Sequence, residues 1–270
     1  FPQYDGVSTF RKPGANSIYH GLTVRLDKRF SKGLTFLAAF TGGKSMDNSA
    51  AAVTYLGSTS QTRADQYNGR LEWSVSPQDV ARRLVGSFVY DLPFGRNQRF
   101  LGNAPRFANL LVAGWQVNGI LSWQTGTPIV LSKALNQTNI FSADQRPNNN
   151  GQSAGLSNPT IAKWFNTSVF SQPAPFTIGN AGRSLPDVRN PGIADADLSL
   201  FKNNYFGKEN RFNVQFRVEM FNALNHPNWN APNANIQSGS SFGTITSTSS
   251  SVGGSVPGSR QIQLAAKFNF

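Results

Sequence analysis

Apolar and polar residues alternate in step along most of this chain, over runs long enough to predict strands. From Ile18 to Phe30 the even positions read Ile18, His20, Leu22, Val24, Leu26, Lys28 and Phe30, and the odd ones Tyr19, Gly21, Thr23, Arg25, Asp27 and Arg29. A strand turns successive side chains to opposite faces, so this run predicts one apolar wall and one wet wall. Ser31-Lys32-Gly33 is a tight turn, after which Leu34, Phe36, Ala38 and Phe40 resume the apolar parity and complete a hairpin. Further strands are predicted over Val80 to Phe94 (Leu84, Phe88, Tyr90, Leu92 and Phe94 on one face) and over Leu111 to Thr125. In the latter Trp115, Val117, Leu121 and Trp123 oppose Gln116, Asn118, Ser122 and Gln124. Ile193 to Tyr205 follows more weakly. Arg211 to Phe221 sets Phe212, Val214, Phe216, Val218 and Met220 against Asn213, Gln215, Arg217 and Glu219. Ser259 to Phe270 sets Ile262, Leu264, Ala266, Phe268 and Phe270 against Gln261, Gln263, Lys267 and Asn269.

The connections between these seven runs alternate in length. Residues 31–33, about 95–110 and 206–209 are the shorter ones. Residues 45–79, 126–192 and 223–258 are long and rich in Ser, Asn, Gly and Pro. Alternating connections with two-faced strands predict an all-β fold, a segment of an antiparallel transmembrane β-barrel with short periplasmic turns and long external loops; a soluble sandwich needs no such alternation. The expected lumen-facing residues are Arg25, Gln116, Asn118, Asp195, Asp197, Asn213, Gln215, Arg217, Glu219, Gln261 and Gln263. The expected lipid-facing residues are Leu22, Val24, Phe36, Trp115, Trp123, Phe212, Val214, Phe216, Ile262, Leu264 and Phe268. Trp115 and Trp123 share a face about 20 Å apart along the membrane normal, a span suited to two aromatic girdles. The basic residues on the apolar parity, Lys28, Arg82, Lys202 and Arg260, lie near strand ends, where long side chains snorkel to head groups.

Composition agrees with a barrel wall. Only 14% of the 270 residues are charged, yet there are 21 Phe and 25 Gly at a mean hydropathy of −0.34. No apolar run reaches the roughly 18 residues of a membrane helix. The absence of Cys removes thiolate nucleophiles, disulfides and thiolate metal sites. The start Phe1-Pro2-Gln3-Tyr4 has no charged n-region or apolar h-region, so a mature fragment of an exported protein is expected. The net charge of +12 is scattered, with no nucleic-acid-binding signature beside its small clusters, and nucleic acid is not an expected partner.

Candidate chemistry is sparse. Gly239-Ser240-Ser241-Phe242-Gly243 matches the nucleophile-elbow spacing, but it has no strand before it, no helix after it and no later His. His20 and His226 are the only histidines and neither has a second ligand at zinc spacing. Asp195 and Asp197 are read as lumen acids opposing Arg217 or Arg211, and Gly42-Gly43 and Gly253-Gly254 lack the Lys-Ser/Thr of a phosphate loop. The expectation is no enzyme activity, no cofactor and no metal. Within the longest loop, Trp164, Phe165 and Phe170 stand out as apolar residues in a polar stretch and are candidate external contacts.

Several runs resemble the C-terminal barrel of TonB-dependent outer-membrane receptors of the Oar-like, carboxypeptidase-regulatory-domain type. They are Tyr19-His20-Gly21-Leu22 through Lys28-Arg29-Phe30-Ser31-Lys32-Gly33-Leu34, Asp91-Leu92-Pro93-Phe94-Gly95, Gly114-Trp115-Gln116-Val117-Asn118-Gly119-Ile120, and Glu219-Met220-Phe221-Asn222-Ala223-Leu224-Asn225-His226-Pro227. The terminal Phe270 resembles the assembly signal of such proteins. The resemblance covers essentially residues 1–270 as the C-terminal portion of a barrel. It implies about 22 strands around an N-terminal plug, uptake of a solute powered through TonB, and the barrel-assembly machinery as a partner. The plug, the earlier strands and the TonB-contacting segment are expected outside this sequence. Two alternatives are a structural protein, a barrel fragment assembling edge to edge into an extracellular fibre or tube, and a small self-contained barrel that uses residues 1–16 as an eighth strand and acts as an adhesin or anchor.

Overall fold

The computed structural model describes residues 14–49, 64–65, 68–132, 145–207, 211–249 and 258–270. Most of residues 1–16, invoked for an eighth strand, and Gly253-Gly254 lie outside the described residues.

Among the described residues ten strands and one α-helix follow in chain order: β1 (Ser17–Ser31), β2 (Leu34–Asp47), β3 (Ser74–Val75), β4 (Arg82–Asp91), α1 (Arg106–Val112), β5 (Trp115–Gln124), β6 (Asn148–Asn149), β7 (Phe170–Ser171), β8 (Ile193–Phe206), β9 (Phe212–Phe221) and β10 (Gln261–Asn269). The seven long strands form one antiparallel sheet in the order β1-β2-β4-β5-β8-β9-β10, so each pairs with its neighbour in sequence; β3 adds to the far end of β2, and β6 and β7 pair separately. The fold is all-β and the sheet is open. Among the described residues β1 pairs only with β2, and β10 only with β9.

Antiparallel strands joined in chain order place successive connections at opposite ends. The strand ends flanking 32–33, 92–114 and 207–211 lie at one end of the sheet, the turn end; those flanking 48–81, 125–192 and 222–260 lie at the other, the loop end. In the first turn Lys32 and Gly33 both have positive φ, 53° and 79°, which is the twist that a two-residue hairpin needs.

The connection 92–114 departs from the sequence expectation. A strand was predicted from Leu111, but Arg106–Val112 is helical and β5 begins at Trp115. Gly114 makes the break: its φ is +73°, and a Cβ there would lie 2.3 Å from the Asn203 carbonyl oxygen. Its own carbonyl accepts the Asn203 amide at 2.8 Å, locking β5 to β8 at their first pair. Gly114→Ala is therefore expected to destabilise the protein by about 1–3 kcal/mol, read as a shift in the urea midpoint of the folded protein.

Candidate functional site

Directly opposed residues of an antiparallel pair point to the same side, so the register carries each parity across the whole sheet. Val24 faces Phe40, Phe40 faces Leu84, Leu84 faces Trp123, and Trp123 faces Ala194. At mid-sheet Phe36 faces Phe88, Phe88 faces Gly119, Gly119 faces Leu198, and Leu198 faces Met220, which faces Ile262. Val218 and Leu264 oppose each other, as do Val214 and Phe268, and Phe212 pairs with Phe206. All of Leu22, Val24, Phe36, Trp115, Trp123, Phe212, Val214, Phe216, Ile262, Leu264 and Phe268 thus share one face. Much of that face is open to its surroundings, Leu264 being 75% exposed. Phe270 continues the row, its ring 6.0 Å from that of Phe268.

The opposite face holds Arg25, Gln116, Asn118, Asp195, Asp197, Asn213, Gln215, Arg217, Glu219, Gln261 and Gln263. Its side chains are cross-linked: Gln215 donates to Asn203 Oδ1 at 2.7 Å, Gln116 to Asp91 at 2.7 Å, and Arg25 to Asp27 at 3.2 Å. The expected pairing of Asp195 and Asp197 with Arg217 or Arg211 is corrected. Arg217 opposes Phe201 in register, lies 4.8 Å from the centre of that ring and donates to Gln215. Arg211 lies over Phe212. Asp197 instead accepts the amide of Asn222 at 2.9 Å. The wet face is also less uniform than the sequence suggests, because Val85, Val89 and Ile120 lie on it, Ile120 55% exposed.

Lys202 does not snorkel. Although on the apolar face, it is buried; its ammonium donates to the Ala113 carbonyl at 2.6 Å and to Asn204 Oδ1 at 2.8 Å, beside the Trp115 ring. It thereby satisfies a carbonyl at the end of α1, where a cation is favourable.

At the loop end the three long connections interlock into one cap. Ile129, Leu131, Ala154, Phe165, Val169, Phe170, Leu185 and Val188 form its core, and Ala234, Ile236 and Phe242 from the third connection pack against it. The Phe165 and Phe242 rings meet edge to face at 5.3 Å, an arrangement the aromatic quadrupoles favour. Backbone bonds join the second and third connections, Trp164 N–H to Gly243 O at 2.9 Å and Ile245 N–H to Ile161 O at 2.7 Å. Ion pairs join the first and second, Arg146 to Glu72 at 2.5 Å and Arg189 to Asp79 at 2.5 Å, and Arg183 of the second pairs with Asp47 at the end of β2.

This overturns the expected external contact through Phe165 and Phe170. Phe165 is 0% exposed and Phe170 buried, both inside the cap, while Trp164 is half-buried with its indole N–H on the Arg189 carbonyl at 2.7 Å. Apolar residues in a loop bury each other when enough of them come together, and here they do. The ion-pair residues were not found from sequence, since Glu72 and Arg146 stand 74 residues apart with nothing local to couple them. The nucleophile-elbow spacing falls on a 3-10 turn, Gly239–Ser241, in the third connection.

Between cap and sheet lies an open groove of about 630 Å³ whose lining includes Lys44, Trp73, Asn149, Gln152, Ser153 and Asp187. Among the described residues no group of His, Cys, Asp and Glu is arranged to hold a metal ion. A family model described as an outer membrane beta barrel domain matches residues 1–263. No curated protein and no solved structure matches the chain.

Proposed function

Because the chain belongs to the outer membrane β-barrel domain family, we propose that it forms part of the wall of a receptor that takes up a solute across the outer membrane in a TonB-dependent manner. The continuous apolar face is the observation that carries this reading. A soluble protein rarely leaves so broad an apolar surface uncovered, whereas a bilayer covers it. The lipid-facing and lumen-facing roles follow for the two faces described above, and the cap then stands outside the cell with its groove at the entrance. No covalent chemistry is required of any residue.

The open sheet supports a larger barrel. Backbone groups at a strand edge cannot stay unpaired in hydrocarbon, and bacterial barrels have at least about eight strands. The free edges of β1 and β10 therefore call for further strands, which in a receptor the rest of the barrel supplies. Val85, Val89 and Ile120 on the lumen side would pack against a plug. Strand β10 with Phe270 is the segment for the barrel-assembly machinery to engage, and TonB would act through a segment beyond this sequence.

The same two edges favour one other reading, addition of second copies into an extracellular fibre or tube. Nitroxide labels at Leu121→Cys and Ser122→Cys, neighbours on central strand β5, separate the two readings in the full-length protein reconstituted in vesicles. Collisions with oxygen are expected at 121 and with a water-soluble nickel chelate at 122. Equal access of the chelate to both sites would defeat the wall assignment, and filaments under the microscope would favour the fibre.

A further inference from the structure

At the turn end of the apolar face the chemistry changes within a few residues. Lys28 of β1, Leu34 of β2 and Phe88 and Tyr90 of β4 share that face, and with Lys32 and Arg99 they line an open groove of about 720 Å³. Next to it the connection 92–114 presents its apolar side chains outward. Phe107 is 79% exposed, Leu110 and Leu111 on α1 are also exposed, and a second hollow of about 400 Å³ is lined by Leu92, Phe94, Leu101, Leu111 and Trp115.

The charge here has one sign. Residues 92–114 contain Arg96, Arg99 and Arg106 and no acid. The described acids nearest in sequence, Asp27 and Asp91, sit on the other face, where Arg25 and Gln116 engage them. Arg99 stacks over Phe100, so its guanidinium is held beside an exposed ring. Cations and apolar rings lining one groove, with an exposed apolar helix in the next connection, match the chemistry of a membrane interface, where phosphate meets acyl chain.

We propose that this end of the wall binds an anionic phospholipid of the leaflet facing the turns. Lys28, Lys32 and Arg99 hold its phosphate, its acyl chains run down past Phe88, and α1 lies in the interface with Phe107, Leu110 and Leu111 inserted. The proposal rests on the membrane-wall reading above and adds to it a lipid class and a site.

The test uses the full-length protein in neutral detergent, with lipid adducts counted by native mass spectrometry. Phosphatidylglycerol is expected to be retained over phosphatidylcholine, and Lys28→Gln/Lys32→Asn/Arg99→Gln to reduce its retention about tenfold. Asparagine suits the positive φ of residue 32, so the turn survives loss of the charge. Arg82→Gln, on the same face at the loop end, is expected to leave retention unchanged, and glycerol 3-phosphate to compete poorly because it has no acyl chain. Wild-type retention by the triple variant, equal retention of the neutral lipid, or full competition by glycerol 3-phosphate would each overturn the site. If the triple variant does not fold, Lys32→Asn alone must still lower retention, and no change in it counts against the proposal. The nitroxide pair at 121 and 122 reads the wall independently, so loss of the lipid site with that pattern intact removes this proposal alone.

Discussion

Val218→Arg/Leu264→Arg is expected to prevent stable insertion into a bilayer. The two residues are registered partners on β9 and β10, near the middle of both strands and on the apolar face. One arginine on the lipid face at mid-bilayer costs about 2–4 kcal/mol, and two directly opposed add their own repulsion, so roughly 4–8 kcal/mol is at stake. That is comparable with the whole stability of a typical domain. The adjacent registered pair, Glu219 and Gln263, provides the control on the other face. Gln263→Arg there meets a carboxylate and water, and is expected to change stability by less than about 1 kcal/mol. Folding of the full-length protein into vesicles, followed by heat-modifiable migration on gels and by urea titration, reads both. A double variant that folds as well as the control would mean that the apolar face meets something other than lipid.

The faces were legible in the sequence because parity is a local property. β9 was predicted over Arg211 to Phe221 and spans Phe212–Phe221, whereas the register of β1 on β2 is set by the turn at Lys32 and Gly33 together with a one-residue shift between Lys28 and Ser31 that brings Lys28 opposite Phe36. The helix was missed although Phe107, Leu110 and Leu111 recur at spacings of three and four, because Leu111 also fits the parity of the strand that follows. Several runs that carried the family resemblance turn out to be joints. Asn222, fully buried with φ 47°, accepts the His226 amide and donates to the His226 carbonyl, so the stretch through Pro227 is a turn built around one side chain. Gly114 and Gly95 shape the two ends of the 92–114 connection.

The cap was hidden for a different reason. Its contacts join residues from three connections, and a sequence that reads as Ser, Asn, Gly and Pro loops gives no sign of which distant charge meets which. Phe165 and Phe170 were conspicuous but ambiguous, since a loop aromatic covers either a ligand or another loop residue. Ile129, Leu131, Val169, Leu185 and Val188 from the same connection decide for the second. The loop end of the protein is therefore a packed body with its own core, and buried ion pairs and backbone bonds are its joints.

The strongest of those joints is expected to fail on a single substitution. Glu72 and Arg146 are 2% and 4% exposed, and the carboxylate also accepts the Ala64 amide at 3.0 Å, while the guanidinium donates to the Leu71 carbonyl at 3.1 Å. Glu72→Ala leaves a buried cation and a buried amide without their partner, which costs about 3–5 kcal/mol. Arg183, whose Nε donates to the Glu72 carbonyl, still ties the same segment, so the damage should appear as local opening of residues 64–79 away from the second connection. Hydrogen exchange and limited proteolysis of the reconstituted protein are expected to show that segment exposed while β4, β5 and β8 stay protected. Glu72→Leu/Arg146→Met, which removes both charges and keeps the volume, is expected to recover most of the loss. If Glu72→Ala exchanges like the wild type, the pair does not hold the cap together. If the double replacement opens as far as the single one, the pair is needed for its charges, and the neighbouring groove with Lys44 and Asp187 becomes the place to look for what they serve.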